Sequence, residues 1–205
     1  MTALVVIAKQ PVAGRVKTRL TPPCSPEQAA ELAAAALTDT LDVVQRTPAA
    51  RRVLVFDGDP RDWARPGIEV IPQRGEGLGQ RLAAAFDDVG CQALLIGMDT
   101  PQLTKARLAG ALEAVARPGV DAVLGPACDG GYWCVGFKQP APAAFQGVPM
   151  SAPDTYARQC ERLGALGLAT VHAPELCDVD TIADARAVAA AAPRTRFAKT
   201  LAAIL

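Results

Sequence analysis

The chain has 205 residues, half of them hydrophobic and 20% charged, which suits one folded domain with a substantial core and excludes a disordered or fibrous polymer. Its 21 basic and 21 acidic residues cancel, so a nucleic-acid partner held by bulk electrostatics is not expected. The start of the sequence lacks the charged region of a signal peptide, and no apolar run reaches the length of a membrane span; a cytoplasmic protein with no membrane partner is expected.

Residues 3–8, apolar and rich in β-branched side chains, predict a buried central strand of a parallel sheet. The run stops at Lys9, and Pro11 and Gly14 then break regular structure, so that Arg15, Lys17 and Arg19 project from a loop at the carboxyl edge of the sheet. Ligands of open α/β sheets sit at that edge, where these cations could hold a polyphosphate by charge-assisted hydrogen bonds. A solvated basic loop is the plainer alternative. Val16 stands where a P-loop needs Gly before its Lys, and Gly14 alone does not make the three-glycine dinucleotide fingerprint. Side-chain charge, not a backbone cradle, is therefore expected to bind phosphate.

Ser25-Pro26-Glu27-Gln28 reads as a capped helix start, with the helix running to about residue 45. A strand over 52–57 ends in the turn Asp57-Gly58-Asp59-Pro60, and a short strand over 68–72 leads into Gln73 and a glycine-rich loop. In that loop Gly75, Gly77 and Gly79 surround Leu78 and precede Arg81, opening a helix to about residue 89. Such glycines allow the close approach of a flat ligand such as a nucleobase or ribose, or simply make a turn.

The next strand, 92–97, is followed at once by Asp99, a carboxylate that cannot stay unpaired in the core and must face the ligand edge. A hard cation bridging phosphates needs such a group; a turn before Pro101 is the alternative use. A helix capped by Thr104 and ending near 117, a strand over 121–125, the turn Asp129-Gly130-Gly131-Tyr132 and an apolar run over 133–137 come next. A Pro- and Ala-rich excursion spans 139–150, followed by a helix from 151–154 to about 166 and a strand over 168–172. Asp178 and Asp180 flank Val179 and in extended chain point the same way, which suits a second side of a metal; Asp180 could instead cap the helix that opens at Thr181. A short helix is expected from Phe197. Alternating strands and helices predict an α/β sandwich with a mainly parallel sheet, one domain over 1–205. The loops at Lys9, Gly75, Asp99 and Asp129 all begin where a strand ends, and so gather on one edge.

Six scattered cysteines without a Cys-x-x-Cys pair are expected to be free thiols in a reducing compartment, and the single His172 to be structural. Zinc-site spacing is absent, and a hydrolase built on Ser/His or Cys/His is not expected.

Together, Lys9-x-Pro11-x-x-Gly14-x-x-Lys17-Thr18-Arg19-Leu20, Gly77-Leu78-Gly79-x-Arg81, Gly97-x-Asp99-x-Pro101, Gly125-Pro126-x-x-Asp129-Gly130-Gly131-Tyr132 and Asp178-Val179-Asp180-Thr181 resemble the glycosyltransferase-like family also called radical-SAM/selenodomain-associated transferase 1. That family is similar to the GT-A, nucleotide-diphospho-sugar transferase superfamily. The resemblance implies a three-layer, mixed, Rossmann-like sheet and a divalent metal, Mg²⁺ or Mn²⁺, held by Asp99. With Asp178 and Asp180 completing the metal site, the expected phosphate and nucleotide set is Lys9, Gly14, Arg15, Lys17, Arg19, Gln73, Gly77, Leu78, Gly79 and Arg81. Lys17 and Asp99 are the expected catalytic groups, while Asp129, Gly130, Gly131 and Tyr132 would line the sugar or acceptor pocket.

The implied reaction is glycosyl transfer from a nucleotide sugar to a small acceptor. More distantly the motifs resemble phospholactate guanylyltransferases, which implies a nucleoside triphosphate and pyrophosphate release as the alternative. A non-catalytic nucleotide-binding protein is the third. Departures from the family pattern fall at Glu76, Met98 and Met150-Ser151-Ala152, the last on the presumed acceptor side.

Overall fold

The computed structural model describes residues 2–205; Met1 of the expected domain lies outside them. Seven strands form one mixed sheet: β1 (Ala3–Lys9), β2 (Arg51–Asp57), β3 (Glu69–Pro72), β4 (Ala93–Ile96), β5 (Ala122–Pro126), β6 (Tyr132–Phe137) and β7 (Thr170–His172). Their order across the sheet is β3-β2-β1-β4-β6-β5-β7. Only β6 is reversed, pairing antiparallel with β4 and with β5, so β5 and β7 again run parallel to the first four strands. The expected mainly parallel, mixed sheet is what the chain forms.

Helices cover both faces: α1 (Pro26–Arg46), α2 (Gly77–Val89), α3 (Lys105–Ala116), α4 (Thr155–Ala165), α5 (Ile182–Ala191) and α6 (Arg196–Ile204). Successive residues of β1 alternate between the faces. Leu4, Val6 and Ala8 join one core cluster with Leu37, Leu41, Leu108 and Val115 of α1 and α3, while Ala3 and Val5 join another with Leu82 and Phe86 of α2 and Leu163 of α4. A strand buried on both sides has no polar face to present, which is why residues 3–8 read as one continuous apolar run.

The predicted elements stand within a few residues of their expected ends, and two capping boxes are made. Ser25 accepts from the Gln28 amide while the Gln28 side chain accepts from Ser25, and Thr181 and Asp184 do the same at α5. A 3₁₀ turn over Pro142–Phe145 gives the Pro- and Ala-rich excursion local structure. Arg162 and the fully buried Gln159 of α4 hold it by donating to the carbonyls of Ala143 and Ala144.

The C-terminal helix α6 is held in two ways. Phe197 and Leu201 are buried in a third cluster with Leu32 and Ala36 of α1, each such side chain contributing about 1.5–3 kcal/mol. The Asp39 carboxylate of α1 accepts from the amides of Arg196 (3.1 Å) and Phe197 (2.9 Å), satisfying two donors that the first turn of a helix leaves unpaired. Apolar burial contributes more of the stability, and Asp39 sets where the helix starts. Asp39→Ala is expected to cost about 1 kcal/mol, and Phe197→Ala about 3–5 kcal/mol. Urea unfolding checks both: the midpoints should fall in that order with the slope unchanged.

Candidate active site

Because β5 is parallel to β4 despite the reversed β6, the carboxyl ends of β1, β3, β4, β5 and β7 share one edge. The sheet order then places the loops along it: the glycine-rich loop after β3, the basic loop after β1, Asp99 after β4, Asp129 after β5, and Asp178 and Asp180 beyond β7. They enclose a cleft of about 580 Å³, lined by Lys9, Arg19, Gln73, Gly77, Leu78, Arg81, Asp99, Asp129, Gly131, Tyr132, Asp178 and Asp180.

At the basic loop, Val16 and Leu20 are buried and anchor the backbone on either side of Lys17. Lys17 itself is left-handed, φ 47° and ψ 38°, a conformation that disfavours a side chain with a Cβ. The turn sends its chain inward rather than to solvent: Lys17 Nζ lies 2.9 Å from Asp99 Oδ2 and 3.2 Å from Asp180 Oδ1, with its side chain only 9% exposed. Arg19 reaches the other oxygen of Asp180 at 3.1 Å while staying largely in solvent. Burial by itself lowers the pKa of Lys17, but Asp99 and Asp180 outweigh it and hold the ammonium above its ordinary value. Lys9 lines the cleft, whereas Gly14 and the exposed Arg15 do not.

Opposite the cations stand carboxylates. Oxygens of Asp129, Asp178 and Asp180 lie within 4.8 Å of one another. Val179 is buried between the two aspartates of its segment, and its amide donates to the Asp99 carbonyl at 3.0 Å, which keeps both carboxylates on the cleft side as the alternation around Val179 predicts. Thr181, not Asp180, caps α5, leaving Asp180 free for Lys17 and Arg19. Desolvation, then the neighbouring Asp129, push the Asp178 carboxyl up to about 6.

Two observations fit a divalent cation here. Asp99 Oδ1 is buried without a hydrogen-bond partner, and an orphaned carboxylate oxygen is costly. Of the three carboxylates in the trio only Asp180 has cation partners, Lys17 and Arg19, a charge balance that a hard cation would improve, although Asp99 is not itself among the three. Asp129, expected in the acceptor pocket, thus joins the proposed metal group.

Several expected residues have other duties. Gly79 packs against Met150 and the Phe145 carbonyl, and a Cβ on Gly75 would strike Gln80, so of the three loop glycines only Gly77 opens onto the cleft, beside the exposed Leu78. Gly130, at φ 87°, has no room for a Cβ because the Pro153 carbonyl occupies that place, and its own carbonyl accepts from the Tyr156 amide. Tyr132 lines the cleft, while its hydroxyl donates to Gln159 Oε1 at 3.3 Å, and burial raises its pKa. Gln73 donates to the Ala8 carbonyl at 2.7 Å and accepts from Arg81, which pairs with Asp57 at 2.8 Å. These two side chains brace the loop.

Thr100 and Thr155, which the sequence did not single out, also line the cleft, beside Met150 and Ser151. Ser151 is left-handed at φ 59°, and left-handed residues other than glycine collect at functional sites. Its segment is the one that departs from the family pattern.

The expectation of six free thiols is corrected. Cys128 and Cys177 form a disulfide, with Cα atoms 4.8 Å apart, and the other four are free. An isolated parallel bridge pairs Ala127 with Leu176, so the next residue on each segment meets its counterpart. At 49 residues' separation nothing in the spacing foretells this, and the cysteines therefore assign no compartment. His172 shares a 2.7 Å hydrogen bond with Tyr156 outside the cleft lining, a structural role as expected. Among the described residues no helix is long and apolar enough to cross a membrane.

The family described as "Uncharacterized protein conserved in bacteria (DUF2064)" matches residues 40–152, more than half of the chain. The chain belongs to this family. Among solved structures it resembles a "putative nucleotide-diphospho-sugar transferase" from Desulfovibrio desulfuricans G20, with 28% identity and a TM-score of 0.86 over 99% of this chain and 95% of that one. A nucleotidyl transferase from Methanothermobacter thermautotroptrophicus is 14% identical with a TM-score of 0.64, over 98% of this chain and 99% of that one. Rv0371c from Mycobacterium tuberculosis H37Rv, in complex with manganese, is 21% identical with a TM-score of 0.56, over 91% and 96% of the two chains. The last two likenesses are of fold alone. No curated protein matches the sequence. The DUF2064 chain has the nucleotide-diphospho-sugar transferase fold, and two of these neighbours are named as nucleotidyl or nucleotide-sugar transferases.

Removing the central cation tests the electrostatics. Lys17→Met leaves Asp99 unpaired and Asp180 with Arg19 alone, and since those side chains are 36% and 28% exposed, the loss is expected to be about 1–2 kcal/mol, below that of a fully buried pair. A lysine whose folded pKa is raised stabilises fully below its ordinary 10.5 and loses that contribution as pH rises through the folded value. Urea midpoints of wild type and variant should therefore differ by a constant amount around neutrality and converge at strongly alkaline pH.

Proposed function

We propose that this DUF2064 protein is a metal-dependent transferase using a nucleotide-activated donor, and that it moves a glycosyl group from a nucleotide-diphospho-sugar to a small acceptor. The observation that carries this reading is the order of groups along one cleft: an opening at Gly77 with the apolar Leu78, then the cation Lys9, then Asp99, then Asp129, Asp178 and Asp180, with Arg19 reaching across to Asp180. Base, diphosphate and sugar of an extended donor would meet, in turn, an apolar surface, positive charge and a cation site.

In this reading Gly77 and Leu78 receive the base, and Lys9 and Arg19 neutralise charge developing on the departing nucleoside diphosphate. Lys17 holds Asp99 and Asp180 in position. Asp99, Asp178 and Asp180, with Asp129 beside them, would hold Mg²⁺ or Mn²⁺, which when bound supplies electrostatic stabilisation to the diphosphate. Met150, Ser151 and the ring of Tyr132 shape the acceptor end. Arg15 is given no role. The likeness to the Desulfovibrio desulfuricans G20 protein supports the sugar donor.

Nucleotidylyl transfer is the second reading. The cation density of the opening loop favours it, because a leaving pyrophosphate carries more charge than a nucleoside diphosphate ester. A purely binding protein fits less well, since it has no need of a buried, left-handed Lys17 between two carboxylates.

Asp99→Asn keeps the shape and removes the charge a hard cation requires. It is expected to weaken Mn²⁺-dependent nucleotide binding at least about tenfold, with the fold retained by circular dichroism; unchanged affinity rejects Asp99 as a ligand. Arg19→Ala should weaken a nucleoside diphosphate far more than the matching nucleoside, and equal losses would move it out of the phosphate site.

Products separate the two reactions. With nucleotide sugars and Mn²⁺ the protein is expected to release nucleoside diphosphate slowly, water replacing the acceptor, and to form no pyrophosphate from triphosphates offered with phosphorylated acids or sugars. Pyrophosphate that depends on Asp99 and on such an acceptor decides for nucleotidylyl transfer.

A further inference from the structure

Cys128 and Cys177 each immediately precede one of the cleft's clustered carboxylates, Asp129 and Asp178. The backbone already pairs the two segments upstream: Leu176 donates to the Pro126 carbonyl at 3.1 Å, and Cys128 to the Leu176 carbonyl at 3.2 Å. Past that point each segment is tied elsewhere. The Asp129 loop closes on itself through Gly131, whose amide donates to Asp129 Oδ1 at 2.7 Å, and the Asp178 segment is tied to the chain after β4 through Val179 and through Gln102, which donates to the Cys177 carbonyl. Among the described residues no hydrogen bond joins Asp129 to Asp178. Two carboxylates meet there, and beyond that backbone pairing the disulfide is the tie between their segments, one residue before each.

We infer that the Cys128–Cys177 pair is a redox-modification site that sets the divalent-cation affinity of the cleft, with small thiols of the glutathione class as its reactants. This rests on the reading of the carboxylates as a cation site. Cys128 is exposed and Cys177 half-buried, so a thiolate reaches Cys128 Sγ first. The attacking sulfur bonds to it, the Cys128–Cys177 bond breaks, and Cys177 leaves as a thiolate that takes a proton from water. A second thiol attacks the mixed disulfide, freeing Cys128 and leaving the reagent as its own disulfide. Two electrons and two protons have then passed from two thiols to the protein, and an excess of the small disulfide drives the reverse. Reduction removes the link, the two carboxylates move apart, and the cation loses a preorganised set of oxygens. Groups that orient metal ligands typically change affinity 10–100-fold, so a change of about tenfold or more is expected.

The full-length protein is titrated with Mn²⁺, free ion being read by electron paramagnetic resonance, in three forms: oxidised wild type, wild type reduced with a phosphine and desalted anaerobically, and the double variant Cys128→Ser, Cys177→Ser. Thiol mass-tagging reports the bond. The oxidised protein is expected to bind Mn²⁺ about tenfold or more tightly than the reduced one, and the variant to match the reduced protein whatever the redox buffer. Equal, measurable affinity in both wild-type forms overturns the redox proposal and leaves the cation site standing. So does a redox response that survives in the variant, or oxidised protein in which Cys128 and Cys177 are not joined. Absence of Mn²⁺ binding in every form overturns both the proposal and the cation site beneath it.

Discussion

The site depends on one buried ammonium. Lys17 stands between Asp99, from the end of the middle strand β4, and Asp180, from the segment that follows the edge strand β7. A left-handed residue with a Cβ is disfavoured by about 1–2 kcal/mol, so the conformation persists because the two ion pairs and the flanking anchors Val16 and Leu20 leave no better one. A glycine at 17 would relax the backbone and lose the charge. An arginine would keep the charge but is longer and needs a planar fork of partners. The position calls for a flexible chain ending in a compact cation.

The rest of the cleft follows from topology and charge balance. Reversing β6 between β4 and β5 lets β5 and β7 run in the direction of β1, which brings their carboxyl ends to the edge where those of β1, β3 and β4 already lie. The edge is then loaded with opposite charges: Lys9 on one side, Asp129, Asp178 and Asp180 on the other, with Lys17 and Arg19 meeting Asp180 at the seam. A neutral chain can thus carry strong local fields, which is why a zero overall charge argues against a partner held by bulk electrostatics and says nothing against a charged ligand.

Much of this was legible in the sequence, because the signals were local. A continuous apolar run marks a strand buried on both faces, Ser25 with Gln28 and Thr181 with Asp184 mark helix starts, and Asp99 after a buried strand has only one edge to face. What was illegible is what depends on contacts far apart in sequence. The pairing of Ala127 with Leu176 makes Cys128 and Cys177 neighbours, and it also brings Asp129 beside Asp178 and Asp180. The glycines mislead for a related reason: Gly79 and Gly130 look like ligand cradles but answer to Met150 and Pro153, residues brought in by the 139–154 excursion. The hydroxyl of Tyr132 likewise belongs to Gln159 of α4, not to a ligand.

The central place of β1 in the sheet has a consequence for biosynthesis. Its neighbours are β2 and β4, and the register that joins Ala3 to Ala93 is complete only once roughly 90 residues have followed it out of the ribosome, about 5–20 s at ordinary elongation rates. A strand buried on both faces thus waits for a neighbour about 90 residues further along the chain. Until then it is an open template for any passing strand, and the cations directly behind it, Lys9, Arg15, Lys17 and Arg19, are the charged guards that such a segment needs while it waits.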